Sequence, residues 1–141
     1  DRASVPLPSG GLDLAIVIDA SAAVSALLND GQARRILAAE SIHAPHLVDA
    51  EVVSALRRQV AGGALTSAAA HRALDVWRRL GLIRYAAAPL LERVWELRAA
   101  VTAYDAMYVA LAENLDCALV TADARLSGAN GPRCAITVVP R

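Results

Sequence analysis

Short apolar runs alternate with longer segments of helical periodicity from residue 14 to the end of the chain, and this alternation constrains the fold most. Short runs rich in Val, Ile, Leu and Ala are typical of buried parallel strands. The five candidate strands are residues 14–19, 42–44, 82–85, 118–121 and 136–139. Strands that alternate with helices predict an α/β fold, a three-layer sandwich around a mostly parallel sheet of roughly five strands.

The segments between these strands carry helix start and stop signals. The candidate helices are residues 21–29, 32–39, 46–60, 66–80, 89–101 and 103–114, with one helical turn at 123–126. Thr66 is a predicted N-cap, because its hydroxyl can accept a hydrogen bond from the first turn. Gly31, Gly81 and the Gly62-Gly63 pair are predicted to end helices, since glycine readily adopts the conformations found at helix ends.

The length of 141 residues fits a single domain with one core. Hydrophobic residues make up 56% of the chain but aromatic residues only 4%, and Phe is absent. This composition excludes global disorder and predicts a core of Val, Leu, Ile and Ala. Residues 14–141 are assigned to the domain, and residues 1–13, which contain two prolines and a Gly-Gly pair, to a flexible N-terminal extension.

Charge, cysteine content and hydropathy limit the function classes. The net charge is zero and all fourteen basic residues are Arg, which disfavours a globally basic nucleic-acid binder but leaves a local Arg-lined groove possible. The longest apolar stretch, Leu14–Leu28, is too short to span a bilayer. Cys117 and Cys134 are predicted to be reduced and buried, and with no His nearby they make a poor zinc site. The expected location is the cytoplasm.

Two acids follow candidate strands. Asp19 closes the first strand, and Asp123 comes two residues after the strand that ends at Thr121. In open parallel sheets, ligands bind outside the carboxyl ends of the strands, where the strand order reverses. If these two strands are neighbours at that reversal, Asp19 and Asp123 face the same crevice.

Two further acids, Glu51 and Asp105, lie in apolar stretches of candidate helices. A carboxylate among apolar residues is costly unless a partner satisfies it, and a divalent cation is one such partner. Hard oxygen ligands suit Mg²⁺ or Mn²⁺. Asp49 competes with Glu51, but residues two apart on a helix point to different sides, so only one can face the site. Glu51 is assigned to the core side and Asp49 to the helix dipole.

Four stretches of the chain resemble the four motifs of the PIN domain, in the right order and spacing. They are Val17–Ser21, Pro45–Arg58, Thr102–Ala112 and Leu119–Leu126. The resemblance covers nearly the whole chain from Leu14. Each motif is weakly specific by itself, and the specificity comes from the set. The size and motif details are similar to those of the VapC toxins of bacterial toxin–antitoxin pairs.

This resemblance implies an endoribonuclease that uses Mg²⁺ or Mn²⁺, and a homodimer silenced by a VapB-like antitoxin whose tail covers the acidic site. It assigns the catalytic and metal-ligand positions to Asp19, Glu51, Asp105 and Asp123. Asp19 and Asp105 are the expected principal ligands, and Asp123 and Glu51 would complete the site. The number of ions, one or two, and the identity of the RNA remain open.

Other residues have roles that the sequence leaves undecided. Ser21 and Thr121 match hydroxyl positions beside two of the acids, where they would support a carboxylate or simply cap a helix. Arg58 lies seven residues after Glu51, so it shares that helix face and would contact RNA, an antitoxin acid or only solvent. Tyr108 is assigned to core packing in preference to the site. Trp77 and Trp95 are expected in the core or at a dimer contact, and the histidines, His43, His46 and His71, receive no catalytic role.

Three other families also place an acid after the first strand. An adhesion-type metal module would need Ser at Ala23, a receiver domain would need a Lys, and a haloacid-dehalogenase-type phosphatase would need Asp at Ser21. Each of them therefore fails at a single residue. Two alternatives remain, a PIN nuclease that processes RNA outside a toxin–antitoxin pair, and a non-enzymatic metal-binding interaction module.

Overall fold

The computed structural model describes residues 14–141 and contains one sheet of five parallel strands. The strands are β1 (Ala15–Ile18), β2 (Ser41–Pro45), β3 (Ile83–Tyr85), β4 (Ala118–Thr121) and β5 (Ile136–Val138). The helices are α1 (Ala20–Leu28), α2 (Gln32–Ala39), α3 (Leu47–Ala61), α4 (Ser67–Arg79), α5 (Leu91–Glu96), α6 (Ala103–Asn114) and α7 (Ala124–Ser127). The predicted α/β class and strand count are confirmed. The predicted N-terminal extension, residues 1–13, lies outside the described residues.

The strand order is β3-β2-β1-β4-β5, so the chain winds outwards from β1 in one direction and then returns to the other side of it. Parallel crossovers are right-handed, which places α1 to α4 on one face of the sheet and α5 to α7 on the other. The order reverses between β1 and β4, which pair directly through Ile16 with Ala118 and Ile18 with Val120. The carboxyl ends of these two strands therefore flank one crevice.

Small and branched aliphatic side chains build the core, as the composition predicted. The central strands are buried, with Val17, Ile18 and Leu119 all at 0% exposure. Helix α6 lies against β1, β2 and β4. It can approach the sheet closely because its fully buried residues include Ala106 and Ala112, whose side chains are small. This contact fixes the helix that carries Asp105 to the two strands that precede Asp19 and Asp123.

Most predicted element bounds are confirmed within one or two residues, but the helix at residues 89–101 is wrong. A 3₁₀ turn occupies Ala88–Leu90, α5 ends at Glu96, and turns follow. The backbone N–H groups of Arg98 and Ala100 donate to carbonyls three residues back, at Trp95 and Leu97, instead of continuing the helix. Leu97, the C-cap of α5 from which these turns start, is 2% exposed.

Gly31 was predicted to end the first helix and instead is the N-cap of α2. Helix α1 ends earlier, with Asn29 as its C-cap. The Arg34 guanidinium donates to the carbonyls of Ala26 (2.9 Å) and Leu27 (3.2 Å), and so satisfies the end of α1 without a glycine. Thr66 is confirmed as the N-cap of α4, with its Oγ1 accepting from the N–H of Ala69 at 3.1 Å.

Two further expectations concern solvent and membrane exposure. Cys117 and Cys134 are free, as predicted, but they are half-buried and not fully buried. They precede the adjacent strands β4 and β5, so both lie at the amino ends of these strands. No helix within residues 14–141 has the length and apolar character needed to cross a bilayer.

Candidate active site

All four predicted acids line one cleft of about 980 Å³ at the carboxyl ends of β1 and β4. Each acid comes from a different helix or helix start, namely α1, α3, α6 and α7. The four are Asp19, Glu51, Asp105 and Asp123. Asp49, the competitor of Glu51, is not among the residues that line this cleft. None of the three histidines lines it either.

Asp19 lies at the centre of the hydrogen-bond network and is only 6% exposed. Its Oδ1 accepts from the N–H of Ala22 (3.0 Å) and from the Ser21 hydroxyl (2.7 Å), so it is also the N-cap of α1. Its Oδ2 accepts from the Thr121 hydroxyl. Burial raises the pKa of Asp19, although these three hydrogen bonds oppose that rise.

Ser21 and Thr121 join the two central strand ends. Their hydroxyls lie 3.2 Å apart, and Ser21 Oγ also accepts from the N–H of Ala122 at 2.9 Å. Thr121 Oγ1 accepts from the N–H of Asp123 at 3.0 Å. Both hydroxyls therefore support Asp19 directly, and the cap of α1 is Asp19 and not Ser21. This network fixes the separation between the Asp19 and Asp123 backbones.

Glu51 is half-buried on α3 and accepts a hydrogen bond from the Tyr108 hydroxyl, with 2.5 Å between Oε1 and the phenol oxygen. Burial raises the pKa of Glu51, the charges of Asp105 and Asp19 add to the rise, and Tyr108 opposes it. Tyr108 is 1% exposed, so the assignment to core packing describes its ring. Its hydroxyl belongs to the cleft, so the site role that the sequence ranked below core packing applies to that atom.

Asp49 occupies the other side of α3. It forms an ion pair with Arg84, at 2.7 Å and 2.9 Å to its two carboxylate oxygens, and accepts from the Trp77 indole at 2.8 Å. The Arg84 guanidinium holds the pKa of Asp49 below its ordinary value. A tertiary ion pair, and not the helix dipole alone, therefore explains Asp49. Trp77 is in the core, as expected, whereas Trp95 is 67% exposed.

Asp105 and Asp123 differ in their surroundings. Asp105 lies in the first turn of α6, whose N-cap Thr102 accepts from the Asp105 N–H at 3.1 Å. Burial raises the pKa of Asp105, with further contributions from the charges of Asp19 and Asp123. Asp123 is bound through both oxygens by the Arg125 guanidinium, at 3.1 Å and 3.0 Å, and this pairing lowers its pKa.

Two arginines line the cleft beside the acids. Arg58 donates to the Ser54 hydroxyl at 3.0 Å, and its charge reaches Glu51 and opposes the rise of that pKa. Arg141 contributes a charge that lowers the pKa of Asp123. Arg141 and Arg125 were not predicted. No spacing signal could have found Arg141, because it reaches the cleft only through the packing of the segment after β5.

The chemistry of the acids fits a hard divalent cation. Four carboxylates share one cleft, and three of them have raised pKa values that reflect burial and mutual repulsion. However, within residues 14–141 no three or more His, Cys, Asp or Glu side chains are grouped closely enough to hold a metal ion. Asp123 is held by Arg125 and Glu51 by Tyr108. Ligation by all four acids would therefore require the Asp123–Arg125 pair to open and the carboxylates to approach one another.

Comparison with known proteins identifies the family. The model of the PIN domain family matches residues 16–131. Ribonuclease VapC9 of Mycobacterium tuberculosis is 60% identical over 126 residues, which are 89% of this chain and 99% of that protein. Among solved structures, PAE2754 from Pyrobaculum aerophilum matches with a TM-score of 0.67 and 26% identity, over 92% of this chain and 88% of that one.

VapBC2 from Rickettsia felis, solved with a DNA fragment from its promoter, matches with a TM-score of 0.65 and 14% identity. The match covers 87% of this chain and 97% of that one, and at this identity it shows the fold. The family match and the high identity to a curated relative agree with the four motifs and with the observed strand order. The chain belongs to the PIN domain family and, within it, to the VapC group.

Proposed function

We propose that this protein is a metal-dependent endoribonuclease toxin of the VapC type, which cleaves RNA phosphodiester bonds. The observation that carries the proposal is the convergence of Asp19, Glu51, Asp105 and Asp123 on one cleft at the strand-order reversal. The chain shares 60% identity with a protein named as a ribonuclease, which supports RNA as the substrate class.

The cofactor would be Mg²⁺ or Mn²⁺, which when bound lowers the pKa of a water molecule and stabilises charge on the scissile phosphate. Asp19 and Asp105 would be the principal ligands. The hydroxyls of Ser21 and Thr121 donate to the Asp19 carboxylate and fix its orientation. Glu51 and Asp123 would complete the site, directly or through water.

The cleft also offers positive charge for the RNA backbone. Arg58 lines the cleft. Among the hydrogen bonds described for residues 14–141, its guanidinium donates only to the neutral Ser54 hydroxyl. A phosphate could accept from the remaining N–H groups. Since the net charge of the chain is zero, attraction of RNA would depend on such local cations.

The proposed partners are a VapB-like antitoxin and a second copy of the chain. The antitoxin would cover the acidic cleft, where Arg58 could pair with one of its acids. The exposed side chains of Leu91 (51%) and Trp95 (67%) on α5 give an apolar surface that suits a homodimer contact. The likeness of this chain to the VapBC2 structure supports a VapB-like partner.

The experiment is RNA cleavage in Mn²⁺ by the wild type, Asp19→Asn and Asp116→Asn, each free of antitoxin. Asp19→Asn should lower the cleavage rate roughly 100-fold or more, because a principal ligand loses its charge. Asp116→Asn is the matched control. Asp116 is exposed and lies before the amino end of β4, whereas the cleft is at the carboxyl end. Its positive φ of 53° is a conformation that Asn tolerates well.

Equal cleavage by the wild type and Asp19→Asn would contradict the assignment of the site. Absence of cleavage by the wild type across structured and unstructured RNAs would contradict the activity.

A further inference from the structure

Tyr108 is a polar group of the cleft that the proposed chemistry leaves without a role. It lies on α6, one turn after Asp105, and its side chain is 1% exposed. Its hydroxyl donates to Glu51 Oε1 at 2.5 Å. The two residues come from different crossovers of the sheet, since α3 follows β2 and α6 follows β3. The bond therefore links two helices that meet at the cleft.

Glu51 needs such a link to stay in the cleft. A glutamate side chain has several rotatable bonds and can extend away from like charges at little cost. The charges of Asp105 and Asp19 both act on Glu51, so repulsion favours a rotamer directed away from them. The Tyr108 ring is fixed by the core, which makes its hydroxyl a donor at a defined position.

We propose that Tyr108 is a positioning residue, whose hydroxyl holds the Glu51 carboxylate in the cleft that Asp19 and Asp105 also line, from where it can take part in cation binding. The inference rests on the proposed function, because it concerns how Glu51 serves that site. The bond uses Oε1, and Oε2 remains for the cation or for a water molecule next to it.

A purely structural role would not need the hydroxyl. Phenylalanine would fill nearly the same space among the buried residues of α6 without burying a polar group that must then be bonded. The polar atom is bonded to one of the four acids of the cleft and not to a backbone group. The hydroxyl therefore serves Glu51, while the ring serves the core.

The test compares Mn²⁺ binding, measured by calorimetry, for the wild type, Tyr108→Phe, Tyr104→Phe, Glu51→Gln and the double variant Tyr108→Phe/Glu51→Gln. Tyr104 is the matched control because it lies on the same helix, undergoes the same chemical change and is 65% exposed. Thermal unfolding without metal and the kcat and KM for RNA cleavage are measured for each protein.

Tyr108→Phe should weaken Mn²⁺ binding roughly 10- to 100-fold, the usual effect of losing a group that orients a ligand. It should lower kcat with little change in KM, since the loss affects the metal site and not RNA contacts. Tyr104→Phe should bind Mn²⁺ within about two-fold of the wild type. The double variant should bind no more weakly than Glu51→Gln, because both changes remove the same interaction.

Wild-type affinity in Tyr108→Phe, together with weakened binding in Glu51→Gln, would overturn the inference and leave the proposed function intact. Additive losses in the double variant would also overturn it, since Tyr108 would then act by a route other than Glu51. Failure of the wild type itself to bind Mn²⁺ would overturn the proposed metal site, and the inference with it.

Discussion

At the scale of single residues, Asp123 differs from the other three acids because it has its own counter-ion. The Arg125 guanidinium binds both of its oxygens, and the Arg125 side chain is 90% exposed. Exposed ion pairs are weak, so this one can open without a large cost. When it opens, Asp123 becomes free for a cation and Arg125 becomes free for an anionic group such as a phosphate.

Arg125→Gln should therefore strengthen Mn²⁺ binding by about two- to five-fold, because a weak competitor for Asp123 is removed. Arg78→Gln is the control, since Arg78 forms a comparable exposed ion pair with Asp75 on α4, away from the cleft. Calorimetric titration with Mn²⁺ measures both. Unchanged or weaker binding in Arg125→Gln alone would show that Arg125 does not compete with the cation.

The sequence predicted some of these residues and missed others for a physical reason. Asp19 and Asp123 follow from chain position, because a residue that ends a parallel strand must lie at the sheet edge. Glu51 and Asp105 needed the family motifs as well. Tyr108 and Arg125 acquire their roles through side-chain bonds that depend on how α6 and α7 pack, and no spacing rule encodes those bonds.

At the scale of elements, the Asp49 carboxylate connects α3 with α4 and with β3. Asp49 of α3 accepts from Arg84 of β3 and from the Trp77 indole of α4. This contact holds the start of α3, and with it Glu51, against the sheet edge. It also explains the helix phase, since the ion pair fixes Asp49 on the side of α3 away from the cleft.

Asp49→Asn should lower the free energy of unfolding by about 1 kcal/mol at pH 7, a value that allows for screening of a partly exposed pair. The folded state has a lowered Asp49 pKa, so the stabilisation is present above the unfolded pKa of about 3.9 and disappears as pH falls through the folded value. Urea unfolding from pH 7 to pH 3 measures this difference.

Asp75→Asn, which affects only the exposed pair with Arg78, should change the free energy of unfolding by less than about 0.5 kcal/mol at every pH. A difference between the wild type and Asp49→Asn that stayed constant down to pH 3 would contradict an electrostatic origin.

The elements themselves were largely predictable because their signals are local. Strands and long amphipathic helices follow from period and length, and Thr66 from its hydroxyl. The structure of residues 89–101 was not predictable, because the apolar periodicity of this segment suits either a helix or successive tight turns. In the folded chain the helix ends at Glu96 and bonds to carbonyls three residues back follow, a choice that the local sequence does not encode.

At the scale of the whole molecule, a neutral chain contains a cleft whose acids repel one another. The unfolded chain separates these carboxylates, so only the folded chain can present them together to one cation. Binding that is restricted to the folded state stabilises it by mass action. A cation bound by the four acids, as proposed, would therefore couple metal affinity to fold stability.

Mn²⁺ at about 100 times its dissociation constant should stabilise the fold by roughly 2.7 kcal/mol, which corresponds to a rise in Tm of roughly 8–13 °C for a chain of this size. Thermal unfolding with Mn²⁺ or EDTA measures the shift. Asp19→Asn should lose most of it, because Asp19 holds the most buried carboxylate of the cleft. Asp116→Asn should keep it, since Asp116 precedes the opposite end of β4. An equal shift in Asp19→Asn would mean that Mn²⁺ binds elsewhere on the molecule, and the coupling of the four acids to one cation would then be wrong.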